Sequence, residues 1–200
     1  MPYDINQDPY IDPRTGMLQN KIGAITQSQL NKIEAEITYI IITTLTVGSR
    51  PDKLKFDYQL LCDMHKEIFG DIYKWAGKIR TQDISKEESY FAHATYIQPS
   101  LEALLRELNG DRRLESKDSR VFIQRIAYYY SELNAVHPFR EGNGRVIRTF
   151  LRLLALKYNY DIDWSKMDPD DNVEASKKAL SGDVVPMRKM LSGLITKLAD

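Results

Sequence analysis

Apolar residues recur at three- and four-residue spacing along most of the chain, a pattern that predicts helices rather than strands. Leu30, Ile33, Ile37, Ile40 and Thr44 form one such stripe and predict a first helix from about Thr26 or Ser28 to Leu45. Its second half, Ile37 to Thr44, is β-branched and favours a strand by propensity; the longer periodicity decides for a helix. Gly48-Ser49-Arg50-Pro51 breaks the chain. A second helix then runs over Asp57 to Phe69, burying Leu60, Leu61, Met64, Ile68 and Phe69 and leaving His65 half-buried on its rim. Further helices are predicted over Ser100 to Asn109, Asp118 to Val136, Gly144 to about Lys157, Asp168 to Leu180 and Val184 to Leu198, with Asp161 to Trp164 as a connector. Phe122, Ile126, Tyr129, Tyr130 and Leu133 make the Asp118 helix a core element. Two segments lack the helical period: residues 2 to 25, rich in Pro, Asp, Asn and Gly, read as an extended arm, and Thr81 to Ile97.

Composition narrows the classes. With 200 residues the chain can bury a full core as one domain. Lys plus Arg and Asp plus Glu both number 28, so no global basic field argues for direct nucleic-acid binding. Cys62 is the single cysteine; it excludes an intrachain disulfide and sits in an apolar stretch as a small core residue. A reducing cytoplasmic setting fits. The first residues lack the basic and apolar regions of a secretory signal, and no apolar run is long enough to span a bilayer, so no membrane partner is expected.

The chemistry is concentrated in His137-Pro138-Phe139-Arg140-Glu141-Gly142-Asn143-Gly144-Arg145-Val146-Ile147-Arg148. Pro138 disfavours the α conformation at His137, so the incoming helix ends there and the imidazole faces a loop. Gly142 and Gly144 allow turn conformations and close ligand approach. The apolar run Val146, Ile147, Phe150, Leu151 and Leu154 starts a helix at once, and a helix N-terminus is an anion site. Arg145 and Arg148, three apart, project from neighbouring positions and suit a di- or triphosphate. Glu141 offers a hard oxygen ligand for Mg2+. His137 is the group able to take a proton near neutral pH.

The segment resembles the signature of the Fic (Fic/Doc) family, His-x-Phe-x-(Asp/Glu)-Gly-Asn-Gly-Arg-x-x-Arg, at every specified position. Trp75-Ala76-Gly77-Lys78-Ile79-Arg80 and the Leu18-Gln19-Asn20-Lys21 segment of the arm extend the likeness. The resemblance implies an all-α Fic-type helical bundle with a small β-hairpin flap, organised as an arm over residues 1–25 and a Fic domain over 26–200. In that domain the flap occupies about 81–97 and the motif 137–148. It implies a protein adenylyltransferase that moves AMP from ATP, with Mg2+, to a Ser, Thr or Tyr hydroxyl of a target protein. His137 would be the general base and Glu141 the metal ligand. Gly142, Asn143, Gly144, Arg145 and Arg148 would bind the nucleotide, with Phe139 pointing into the core. Lys86, Tyr90, Phe91, Ala92 and His93 would form the target-positioning flap, which adds the target backbone as an extra strand.

The inhibitory Ser/Thr-x-x-x-Glu-(Gly/Asn) pattern of many relatives is absent from residues 1–40 and 165–200. This implies a bacterial toxin held by a separate small antitoxin that carries such a helix and engages Arg148. Targets in the family include topoisomerase subunits and, for effectors secreted into host cells, GTPases. The resemblance also admits a Fic domain at the head of such a secreted effector. The rival readings are another nucleotidyl or phosphoryl transfer on the same scaffold, such as UMP, phosphocholine or phosphate, and a non-catalytic protein-interaction module.

Overall fold

The computed structural model describes residues 8–86 and 89–199. Seven helices and two two-stranded antiparallel ribbons make up its regular structure: α1 (Gln27–Gly48), α2 (Tyr58–Phe69), β1 (Ser85–Lys86), β2 (Ser89–Tyr90), α3 (Ile97–Gly110), α4 (Ser119–Val136), α5 (Asn143–Lys157), β3 (Tyr160–Ile162), α6 (Pro169–Leu180), α7 (Val185–Ser192) and β4 (Ile195–Lys197). The expected all-α bundle with a small hairpin is the observed class. Short polar residues start the helices: Thr26, Asp57, Asp118 and Asp168 each accept a backbone N–H of the first turn, and Pro169 opens α6.

The motif helix α5 is central, with Val146, Ile147, Phe150, Leu151 and Leu154 buried against α2, α4 and β3. Phe150 meets Phe56 edge-on at 5.2 Å, and Phe122 of α4 stacks on Tyr160 at 4.0 Å. Cys62 is buried in the same core. The described part of the arm packs on it through Tyr10, whose ring meets Trp75 edge-on at 5.4 Å and whose hydroxyl accepts the Thr81 N–H. Residues 1–7 of the expected arm lie outside the described residues.

Three expectations are corrected. The final helix predicted to run to Leu198 ends at Ser192: Gly193 follows, and Ile195 to Lys197 form β4 on β3, which takes up part of the predicted connector. The low helix propensity of Gly193 and the β-branched pair Ile195-Thr196 explain the switch. The inward face of α1 carries Leu30, Glu34 and Thr38, whereas Ile40 is 63% exposed. His65, expected half-buried, is fully buried.

Candidate active site

Helix α4 ends where Pro138 demands it, but His137 resolves the conflict by adopting the left-handed region (φ 48°), donating its N–H to Leu133 O at 3.1 Å. A non-glycine residue held there costs about 1–3 kcal/mol, so the surroundings must over-determine it. They do. Arg80, almost wholly buried, donates from Nε to His137 O at 2.8 Å, and its backbone N–H donates to Pro138 O. The His137 Nδ1 lies 3.2 Å from the Asn134 carbonyl. A carbonyl only accepts, so Nδ1 carries a ring proton, and in the neutral imidazole the lone pair is on Nε2.

The loop from Phe139 to Gly142 is locked from inside. Phe139 is buried, as expected, and the Asn143 side chain clips both its N–H (2.8 Å) and its carbonyl (2.7 Å). Gly142 sits at φ 81°, and a Cβ there would overlap the Phe69 ring. Helix α5 begins at once, Val146 N–H bonding Gly142 O at 3.1 Å. Its first-turn N–H groups therefore point away from the helix body.

His65 is a positioning residue that the pattern of the sequence did not single out. Its Nδ1 accepts the Gly77 N–H at 2.8 Å, so Nε2 carries the proton and donates to Glu141 O at 3.1 Å. The ring stacks on Phe139 at 3.9 Å. It thus pins the motif loop to the Trp75-Ala76-Gly77 turn. Burial pushes its pKa from 6.5 down to about 4, which keeps it neutral. Stability from this group is complete above pH 6.5 and lost as pH falls towards 4, by about 3 kcal/mol over that window. Urea unfolding of the wild type at pH 7 and pH 5 should differ by about 2 kcal/mol more than that of His65→Asn; equal pH slopes would remove this role.

A cavity of about 470 Å³ opens at the start of α5. His137, Arg140, Glu141, Gly142, Asn143, Gly144 and Arg148 line it, with Phe91, which follows β2, beside His137. Asn172, Val173, Ser176, Lys177 and Leu180 of α6 also line it. Tyr130 O–H donates to Asn172 Oδ1 at 2.7 Å and fixes that amide. Glu141 is 43% exposed by side chain, with Oε1 accepting the Gly142 N–H at 2.8 Å. Arg140 is held by Asp8 of the arm at 2.9 Å. The Arg148 side chain lies over Gly144, so close that a Cβ on that glycine would come 3.0 Å from its Nη1. One carboxylate beside Arg140, Arg148 and a helix N-terminus makes this part of the wall suited to a polyphosphate.

Arg145 does not line the cavity. It pairs with the buried Glu34 of α1, lies 3.6 Å from Glu141 Oε1, bonds Thr38 Oγ1 at 3.3 Å and sits over the Phe69 ring at 4.7 Å. Tyr73 O–H donates to the other oxygen of Glu34. The expected side-by-side pair of arginines is thus split by the pairing with α1. Arg145 should act as a strut: Glu34→Ala and Arg145→Ala are each expected to destabilise, and a double-mutant cycle to show about 1–2 kcal/mol of coupling. Additive losses would contradict the pairing.

The hairpin β1–β2 pairs Ser85 with Tyr90 and Lys86 with Ser89. Tyr90 is 82% exposed; the Lys86 side chain lies outside the described residues. Ala92 N–H bonds Ala135 O at 3.0 Å, and its carbonyl accepts from Arg80. His93 faces solvent, with Nε2 2.9 Å from Asp83 and Nδ1 2.9 Å from Thr95 Oγ1. Among the expected flap residues whose side chains are described, Phe91 is the one that lines the cavity.

The family model described as Fic/DOC matches residues 55–155, from the end of the first loop through nearly all of α5. The chain belongs to the Fic/DOC family. Among relatives of this Fic/DOC domain, the protein adenylyltransferase VbhT of Bartonella schoenbuchensis is 37% identical over 98% of this chain and 40% of that protein. This chain thus spans less than half of VbhT. The y4lH protein of Sinorhizobium fredii, named a probable protein adenylyltransferase, is 30% identical over 96% of this chain and 98% of its own length. In three dimensions the fold is similar to the N-terminal Fic domain of a VirB-translocated Bep effector protein from Bartonella quintana, solved with bound ADP. That likeness has a TM-score of 0.87 and 25% identity over 94% of this chain and 95% of that one.

Proposed function

We propose that this chain is a protein adenylyltransferase, transferring AMP from ATP to a Ser, Thr or Tyr hydroxyl of another protein. The observation that carries the reading is the single cavity wall that joins the Nε2 lone pair of His137 to an anion-binding helix start and Arg148. The names of the relatives and the ADP in the Bartonella quintana structure support it.

In this reading His137 Nε2 takes the proton of the target hydroxyl, whose oxygen forms a bond to the α-phosphorus as the bond to pyrophosphate breaks. The backbone of Gly142, Asn143 and Gly144 cradles the phosphates, Arg148 offsets the charge of the leaving group, and Asn172 and Ser176 of α6 face the nucleoside. Asn143 and Arg145 serve through structure, the one clipping the loop, the other bracing α1. Positioning and electrostatics supply most of the acceleration in such chemistry.

Glu141 suits Mg2+ that arrives with the nucleotide. It is a part-exposed carboxylate on the cavity wall, and no cluster of three His, Cys, Asp or Glu groups occurs among the described residues, so phosphates and water would complete the shell. The ion would neutralise phosphate charge.

Control by a separate small antitoxin with a Ser/Thr-x-x-x-Glu helix belongs to the same reading. Glu34 engages Arg145 and leaves Arg148 at the cavity as the arginine for such a glutamate to reach. A chain silent by itself, with an intact site and no partner, would end that part of the reading. No helix among the described residues is long and apolar enough to cross a membrane. The transfer is tested by incubating the purified chain with Mg·ATP and a bacterial lysate. Peptide mass spectrometry should then find AMP adducts on hydroxyl side chains; none above the level without ATP would contradict it.

A further inference from the structure

We propose that Phe91 is a positioning residue for His137, so that the seating of the β1–β2 hairpin sets the orientation of the base. The proposal rests on the reading of His137 as general base. Phe91 follows β2 directly, and its ring stacks on the His137 imidazole with centroids 3.8 Å apart and planes 18° from parallel. An imidazole has two torsions. The hydrogen bond from Nδ1 to Asn134 O holds one edge, and a flat ring against its face fixes the plane, so Nε2 stays turned toward the cavity.

The stack holds only while the hairpin holds. Both of its legs end on the same guanidinium that grips the histidine: Arg80 donates to Gln82 O at 2.7 Å, to Ala92 O at 2.5 Å and to His137 O at 2.8 Å. Ala92 N–H adds a bond to Ala135 O, two residues before the base. A shift of the hairpin is therefore felt at the ring and at the peptide of His137 together. The same strand that would dock a target segment is built to square the base, which links target engagement to proton transfer without a separate signal.

The test compares Phe91→Leu with Phe91→Tyr. Leucine keeps the apolar bulk and removes the flat face; tyrosine keeps the face. Label transfer from ATP to lysate proteins at saturating Mg·ATP should fall about 10- to 100-fold in Phe91→Leu and stay near wild type in Phe91→Tyr. Half-saturating ATP and the unfolding midpoint should be unchanged in both. Imidazole 15N spectra of His137 should show a single Nδ1–H tautomer in the wild type and tautomer exchange in Phe91→Leu, a readout that needs no activity.

Equal rates for both variants, a rise in half-saturating ATP alone, or equal losses with the tautomer intact would each overturn the proposal. A wild type that labels nothing, yet shows the tautomer change in Phe91→Leu, would leave the positioning role standing and bring down the reading of His137 as a base.

Discussion

His137→Ala should lower AMP transfer by about 10²- to 10⁴-fold, the usual contribution of a positioned general base, while Mg·ATP binding stays near wild type. The split follows from where the groups sit. The imidazole projects from the end of α4, held by Asn134 and the ring of Phe91, whereas the donors proposed to take the phosphates belong to the start of α5. The fold should survive because the backbone contacts of His137, its N–H to Leu133 and its carbonyl to Arg80, do not involve the side chain. Alanine removes the ring contacts with Asn134 O and Phe91, so a small loss of stability accompanies the change. Calorimetric titration with Mg·ATP beside a transfer assay checks both halves. Binding that disappears with activity would place His137 in the nucleotide site itself.

Gly142→Ala is expected to be the most damaging single-methyl change in the motif, costing about 3 kcal/mol or more. Two penalties coincide there. The residue holds φ 81°, and the new Cβ would overlap the Phe69 ring, itself packed under Arg145 and beside His65. Neither wall can yield cheaply, since Phe69 is completely buried. Gly182→Ala is the internal control. It has a similar backbone angle, φ 93°, with open space around it, so it should lose only about 1–2 kcal/mol. Urea midpoints for the two variants separate the clash from the backbone term, and equal losses would show that the Phe69 contact carries no weight.

The helices were legible because their apolar periodicity is local, and so was the motif, whose residues fall within twelve positions. Even the β-branched end of α1 obeyed the longer period: Thr43, Thr44 and Thr46 return their hydroxyls to carbonyls four residues back, satisfying inside the helix the groups that would otherwise favour leaving it. Partnerships across the chain were hidden. Glu34 looks like a solvent residue until Arg145, 111 positions on, pairs with it; with that partner Glu34 is buried on the inward face of α1, and Arg145 is not among the residues lining the cavity. His65 stands four residues from both Leu61 and Phe69, on the buried stripe of α2; what stayed hidden was what satisfies its ring, since its two hydrogen bonds go to Gly77 and Glu141 on distant loops. The contribution of Asn172, Ser176 and Leu180 to the cavity was likewise unreadable, since a polar helix face carries no mark of what it will meet.

The central claim is that the chain delivers the α-phosphorus of ATP to a protein hydroxyl. It is tested most directly by incubating the purified chain and Mg2+ with a bacterial lysate in two parallel reactions, one with ATP labelled at the α-phosphate and one at the γ-phosphate. A protein band should be labelled from the α position alone and be absent with His137→Ala. A band labelled from the γ position would make the chain a phosphoryl-transfer enzyme on a Fic fold and contradict the assignment.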